Sequence, residues 1–68
     1  MRYAVVIERA KKNYAAYVPD LPGCVSTART LKDVKMKIQE AIQFHIEGLK
    51  EDGVPVPEPS AICEYIEA

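Results

Sequence analysis

Residue types that build catalytic, metal and disulfide sites are scarce in this 68-residue chain, which has two cysteines, one histidine, three glycines and no tryptophan. Cys24 and Cys63 allow one disulfide bond at most, and without signs of secretion we interpret them as reduced, small hydrophobic side chains. A lone histidine, His45, without C-x-x-C or H-x-x-x-H spacing predicts no metal site. Three scattered glycines form no phosphate-binding loop.

Long hydrophobic runs are also missing. No apolar run approaches the roughly 20 residues that cross a bilayer, and the run from Tyr3 to Ile7 is too short for a signal-peptide core. We therefore expect a cytoplasmic protein without membrane contact. With 49% hydrophobic residues, general disorder is excluded.

The short length predicts a single domain that covers residues 1–68. A chain of this size buries only about 60% of the surface that its unfolded form exposes, so its own core leaves little stability. We expect a homo-oligomer, either a dimer or a tetramer, to supplement that core.

The net charge of −1 conceals an uneven distribution. Residues 1–37 contain eight Lys or Arg against three acidic residues, and residues 38–68 contain one Lys against seven acidic residues. Folding could interleave the two sets. The alternative is a basic face for an acidic partner or nucleic acid, with a separate acidic face.

The order of elements predicts an α+β fold with a β-β-β-α-β layout. Three strands are expected to form an antiparallel meander, with one helix on one face of the sheet and a last strand parallel to the first. The resulting sheet order is 3-2-1-4, a partial RNase H-like fold. The predicted strands cover residues 3–8, 14–18, 24–28 and 60–66, and the helix lies between Thr30 and Gly53.

A sharp corner is predicted at Pro19, Asp20, Leu21, Pro22 and Gly23. Proline lacks the amide donor and restricts the residue before it, so no ladder continues here. Gly23 can adopt a positive φ. We assign Asp20 to hydrogen bonding within the turn.

The helix carries its own start signal and an apolar stripe. Thr30 is a favourable N-cap, and Asp33 three residues later completes a T-x-x-D variant of the capping box. Ile38 lies at the centre of the stripe, with His45 also on it. A histidine at such a position packs or lies in an interface more often than it serves as a general base.

One helix covers only one face of the sheet, which leaves the other face available for a second chain. The candidate oligomer or partner contacts are Val6, Tyr17, Met36, Phe44, His45 and Tyr65. Met36 and Phe44 lie off the main apolar stripe of the helix, and isolated exposed apolar side chains are also ordinary.

Catalysis has little support in the sequence. A nucleophile needs a neighbouring base, and a two-metal nuclease needs several carboxylates at one end of the strands. Strand one supplies only Glu8 there. We therefore predict a protein that is not an enzyme and has no cofactor.

Several segments together resemble the HicB-like antitoxin family over nearly the whole chain. The specific part is Pro-Asp-Leu-Pro-Gly-Cys at 19–24 with Glu-Asp-Gly at 51–53 and the prolines that follow. Thr-Leu-Lys-Asp at 30–33 and Glu-Ala-Ile at 40–42 add to the likeness.

The resemblance implies an antitoxin of a bacterial type II toxin–antitoxin system with a degraded RNase H-like fold. Its partner would be a small, RNA-cleaving HicA-type toxin, which it neutralises. Many family members carry a C-terminal DNA-binding segment, and the sequence through Ala68 shows none, which argues against DNA binding by this chain alone. The alternatives are an orphan HicB-like domain with a different partner, a weak nucleic-acid-binding module that uses the basic residues of the first half, and a vestigial hydrolase.

Overall fold

Three short strands precede one long helix in the computed structural model, which describes residues 1–68. The strands are β1 (Val6–Arg9), β2 (Tyr14–Tyr17) and β3 (Val25–Ala28), and the helix α1 is Leu31–Glu51. The strands pair antiparallel in the order β1-β2-β3. The α+β class and the meander are therefore confirmed, whereas β1 begins three residues later than predicted.

The corner between β2 and β3 consists of two consecutive tight turns. The Leu21 N–H donates to the Val18 carbonyl over 3.1 Å, and the Cys24 N–H donates to the Leu21 carbonyl over 3.0 Å. Gly23, at the third position of the second turn, has φ 86°, which together with Pro22 before it is the pattern of a type II turn. The Val18 N–H also donates to the Cys24 carbonyl over 3.2 Å and closes the corner.

Both ends of α1 have specific caps. Thr30 is the N-cap residue, and its hydroxyl accepts a 3.0 Å hydrogen bond from the Asp33 N–H. At the other end, the Val54 N–H donates to the Leu49 carbonyl and Gly53 has φ 68°. These are features of a Schellman motif, in which a glycine in the left-handed region ends the helix.

A small core lies between α1 and the inner face of the sheet. The helix packs against β2 and β3, and Val34 and Ile38 are buried one turn apart on its inner side. Half-buried apolar residues farther along the helix, at 41, 42 and 46, pack against the same core. Six residues are buried in total: Ala16, Val18, Leu21, Cys24, Val34 and Ile38.

The predicted fourth strand at residues 60–66 does not form. The tail, which we define as residues 54–68, contains no strand or helix. Prolines 55, 57 and 59 remove every second backbone donor from its first part, so a ladder cannot begin there. Farther along, Ile62 is 84% and Ile66 is 87% exposed. The sheet order 3-2-1-4 and the RNase H-like interpretation depended on this strand, which the three-stranded sheet lacks.

Both cysteines are free thiols in different environments. Cys24 is buried in the core beside the corner, and burial raises the pKa of its thiol. Cys63 is exposed in the tail.

Candidate functional site

The outer face of the sheet, away from α1, carries an apolar row across all three strands. Val6 pairs with Tyr17, and Tyr17 pairs with Val25. Side chains directly opposite in an antiparallel pair lie about 5 Å apart. Tyr17 is 39% and Val25 is 64% exposed, so the row is open to solvent. We call Val6, Tyr17 and Val25 the outer row.

Alternation along the strands explains which residues face outward. Ile7 and Ala16, which pair with each other, lie in or against the core on the inner face. Their neighbours Val6 and Tyr17 must point to the opposite face. The structure thus places these two predicted contact residues side by side.

Val25 was missed in the sequence analysis. Its place opposite Tyr17 depends on how the corner closes, because a shift of one residue would turn its side chain to the inner face. The Val18–Cys24 hydrogen bond sets that register. The sequence contained one signal for it. If Cys24 is assigned to the core, the alternation of side chains along the strand places the next residue, Val25, on the outer face.

The other predicted contact residues do not join the outer row. Met36 is 56% and Phe44 is 80% exposed on α1, which lies on the opposite side of the sheet. These two residues are eight positions apart, or about 12 Å along the helix axis. His45 is half-buried on the same helix, and Tyr65 is 99% exposed in the tail.

Asp20 holds the tail instead of serving the turn to which we had assigned it. Its carboxylate accepts hydrogen bonds from the Ser60 N–H at 2.9 Å, the Ser60 hydroxyl at 2.9 Å and the Ala61 N–H at 3.0 Å. The turn needs no side-chain acceptor, because backbone bonds already close it. The Ala61 and Ser60 amides, followed by the Ser60 hydroxyl, lower the pKa of the Asp20 carboxyl.

Tyr3 makes a second attachment for the tail. Its hydroxyl donates a 2.6 Å hydrogen bond to the Pro57 carbonyl. Desolvation, with smaller contributions from Glu58 and Asp20, raises the pKa of this hydroxyl. Asp20 and Tyr3 therefore fix residues 57–61 on the folded domain, while the apolar side chains of Ile62, Tyr65 and Ile66 remain exposed.

Metal-binding side chains do not cluster in this structure. No group of three or more His, Cys, Asp or Glu residues is placed to hold a metal ion. No helix has the length and apolar character needed to cross a membrane. The surfaces described above are one apolar row and the hydrogen-bonded contacts of the tail.

Residues 3–68 match the family described as HicB-like antitoxin of bacterial toxin–antitoxin system. The chain belongs to the HicB-like antitoxin family. The resemblance seen in the sequence is thereby confirmed over almost the whole chain.

Relatives of this HicB-like chain include proteins from a phage and from archaea. An uncharacterized 14.9 kDa protein of Haemophilus phage HP1 is 42% identical over 66 residues, which are 97% of this chain and 50% of that protein. The chain therefore spans half the length of this relative. A UPF0150 protein of Thermoplasma acidophilum is 37% identical over 62 residues, with 90% of each chain covered. Another, from Archaeoglobus fulgidus, is 39% identical over 56 residues, with 78% of this chain and 81% of that protein covered.

Among solved structures, a chain of a HicA3 and HicB3 toxin–antitoxin complex resembles this HicB-like chain. The TM-score is 0.74 at 32% sequence identity, with 87% of this chain and 70% of that chain covered. The likeness thus extends to the three-dimensional arrangement of the strands and helix.

Proposed function

We propose that this HicB-like chain is an antitoxin that binds and neutralises a HicA-type, RNA-cleaving toxin in the cytoplasm. The observation that carries the proposal is its structural likeness to a chain from a toxin–antitoxin complex, at a TM-score of 0.74. Family membership over residues 3–68 supports the antitoxin role. The proposed action is binding without catalysis.

The outer row is the proposed contact surface for the toxin. Tyr17 is a favourable interface residue, because a tyrosine ring supplies a large, rigid contact area. It is flanked on both sides by a β-branched side chain from a neighbouring strand. The row offers a partner an apolar centre that no element of the chain covers.

Charge supports the choice of a basic partner. The outer face also carries Glu8, two positions along β1 from Val6, and the tail carries Glu58, Glu64 and Glu67. A protein that binds RNA needs cationic residues, so a HicA-type toxin would meet complementary charge. Such complementarity mainly increases the rate of encounter.

Neutralisation would follow from occlusion. A toxin whose RNA-binding surface is covered by the outer face of this domain cannot admit its substrate. The chain needs only a stable fold and a complementary surface for this task, and the exposed side chains of Tyr17 and Val25 in the outer row lie outside the core.

The test is inhibition of RNA cleavage by a purified HicA-type toxin. We expect the chain to copurify with the toxin and to stop cleavage at a stoichiometric ratio. Val25→Arg places a bulky cation in the row at an exposed position, so we expect loss of inhibition without loss of the fold. Met36→Arg, a matched cation on exposed α1, is the control and should inhibit normally.

Three results would contradict the proposal. The toxin could fail to bind the unmodified chain, which would leave an orphan domain with another partner. Val25→Arg could inhibit as well as the unmodified chain, which would exclude the outer row as the contact surface. Met36→Arg could abolish inhibition, which would move the contact to the helix.

Without the toxin, the outer row is also the proposed contact of a homodimer, so the toxin and a second copy would compete for it. Analytical ultracentrifugation of the unmodified chain and of Val25→Arg tests this directly. We expect the unmodified chain to sediment as a dimer or tetramer and the variant to sediment as a monomer. Equal sedimentation of the two would assign self-association to another surface.

A further inference from the structure

A polar cleft gathers cationic side chains from three separate segments of the chain. Lys12 comes from the β1–β2 connection, Arg29 from the β3–α1 connection and Lys37 from the second turn of α1. They line one cavity of about 560 Å³. We call this cavity the basic cleft.

One of the three cations is fixed in place. The Lys37 ammonium donates a 3.3 Å hydrogen bond to the Thr27 carbonyl, which ties α1 to the edge strand β3. Lys12 and Arg29 make no side-chain hydrogen bond of their own. Their donors are therefore available to a ligand.

The net charge of the lining favours an anion. Three cations face a single carboxylate, that of Asp33, which leaves a local balance of +2. The cleft also lies at the start of α1, where unpaired N–H groups and the helix dipole add partial positive charge. Asn13 and Thr27 contribute neutral side chains that can donate hydrogen bonds.

The residue types of the lining indicate which class of anion would bind in the basic cleft. Ala28 is the only hydrophobic residue among the seven that line the cleft. The cleft therefore has no apolar pocket for the buried apolar side chain with which a peptide ligand is usually held. The lining has no aromatic ring on which a base could stack. Lysine, arginine, asparagine and threonine are all among the side chains that commonly contact nucleic-acid phosphates.

We propose that the basic cleft binds the phosphate backbone of single-stranded nucleic acid, independently of base sequence. A flexible single strand can bend its phosphates into a recess, whereas the phosphates of a duplex are held on a rigid cylinder. RNA and DNA present the same phosphodiester, so both should bind. This site is separate from operator recognition, which reads base edges.

The test measures fluorescence anisotropy of labelled oligo(U), oligo(dT) and a duplex of equal length against the unmodified chain, without toxin. Three phosphate contacts predict a log–log salt slope of about −2 for single strands. We expect oligo(U) and oligo(dT) to bind with similar affinity and the duplex to bind more weakly. Preferred binding of the duplex, or binding that does not change with salt, would overturn the proposal.

Two double variants distinguish binding in the basic cleft from a general effect of lost positive charge. Lys12→Ala/Arg29→Ala removes two free cations. We therefore expect the dissociation constant to rise about tenfold and the salt slope to become shallower, from about −2 to about −0.7. Arg9→Ala/Lys11→Ala is the matched control. It also removes one arginine and one lysine, both exposed and both in the β1–β2 hairpin that carries Lys12. Equal weakening by the two double variants would show that no particular site exists.

Asp33→Asn supplies a test in the opposite direction. The cap bond uses the backbone N–H of Asp33 and not its carboxylate, so the helix start is kept. Removal of the only negative charge in the lining should tighten binding about threefold. Unchanged or weaker binding would contradict the proposal, as would competition by polyglutamate equal to that by the oligonucleotide.

Discussion

The packed part of the chain and its tail are held by different kinds of interaction. Of 33 backbone–backbone hydrogen bonds, only the one from the Val54 N–H involves the tail. The tail is attached instead by side-chain hydrogen bonds to Asp20 and Tyr3. Residues up to Gly53 therefore depend on cooperative packing, whereas the tail depends on a few separate contacts.

That difference predicts unequal responses to substitution. A side chain in a small core touches many others, so its loss is felt by the whole domain. A separate contact at the surface can open without unfolding the rest.

The largest effect is expected from Leu21→Ala. Leu21 is fully buried in the corner, and truncation of a buried leucine costs about 3 kcal/mol. A domain of this size has a free energy of unfolding of only about 3–10 kcal/mol, so much of the protein should unfold. Urea denaturation followed by circular dichroism measures the loss. Leu31→Ala, 43% exposed at the helix start, is the control and should cost less than about 1 kcal/mol.

Substitutions at two glycines are expected to change the stability by intermediate amounts and in opposite directions. An added Cβ at Gly23 or at Gly48 meets nothing within 4 Å, so only the backbone distinguishes them. Gly23 has φ 86°, and Gly23→Ala should lower stability by about 1 kcal/mol. Gly48 lies inside α1, and Gly48→Ala should raise stability by about 1 kcal/mol. Thermal melts of both variants check the signs, and equal signs would contradict the assigned backbone.

A smaller and local effect is expected from Asp20→Asn. The uncharged amide is a weaker acceptor than the carboxylate, so the Ser60 and Ala61 amides should exchange hydrogen several-fold faster while the exchange of α1 is unchanged. Equal acceleration in α1 would show that the tail is part of the cooperative core.

The same contact predicts a dependence on pH. The folded protein lowers the pKa of Asp20 below its ordinary value of 3.8. Its contribution to stability is therefore fully present above that value and is lost as pH falls through the lower, folded-state pKa. Protection of the Ser60 and Ala61 amides should persist at neutral pH and disappear in strong acid. Asp20→Asn should show no such acid step.

The smallest effect is expected from Ile62→Ala and Ile66→Ala. Both side chains are more than four-fifths exposed, at 84% and 87%, so each change should alter the free energy of unfolding by less than about 0.5 kcal/mol. Urea denaturation measures it. A loss of 2 kcal/mol or more would mean that the tail packs onto the domain or onto a second copy.

Features of the fold that arise from neighbours in sequence could be predicted. Thr30 and Gly53 bound the helix because capping is local. Gly23 has a positive φ because the tight turn around it requires one. The meander follows because short connections join adjacent strands.

Features that depend on distant residues could not be predicted. Asp20 lies 40 residues from Ser60, and no local signal pairs them. The alternation of residue types at 60–66 predicted a strand, but a strand also needs a neighbouring strand with which to pair. The prolines before this segment prevent the chain from pairing with the sheet at that point. The convergence of Lys12, Arg29 and Lys37 likewise depends on packing between three separate segments.

The two thiols differ in their expected chemical reactivity. The buried Cys24 has a raised pKa and little thiolate, so alkylating reagents should reach it only during unfolding. Cys63 is exposed two positions after Ala61, where the attachment of the tail to Asp20 ends. The unmodified sequence thus offers one selective labelling position, and a spectroscopic probe there would report directly on the release of the tail.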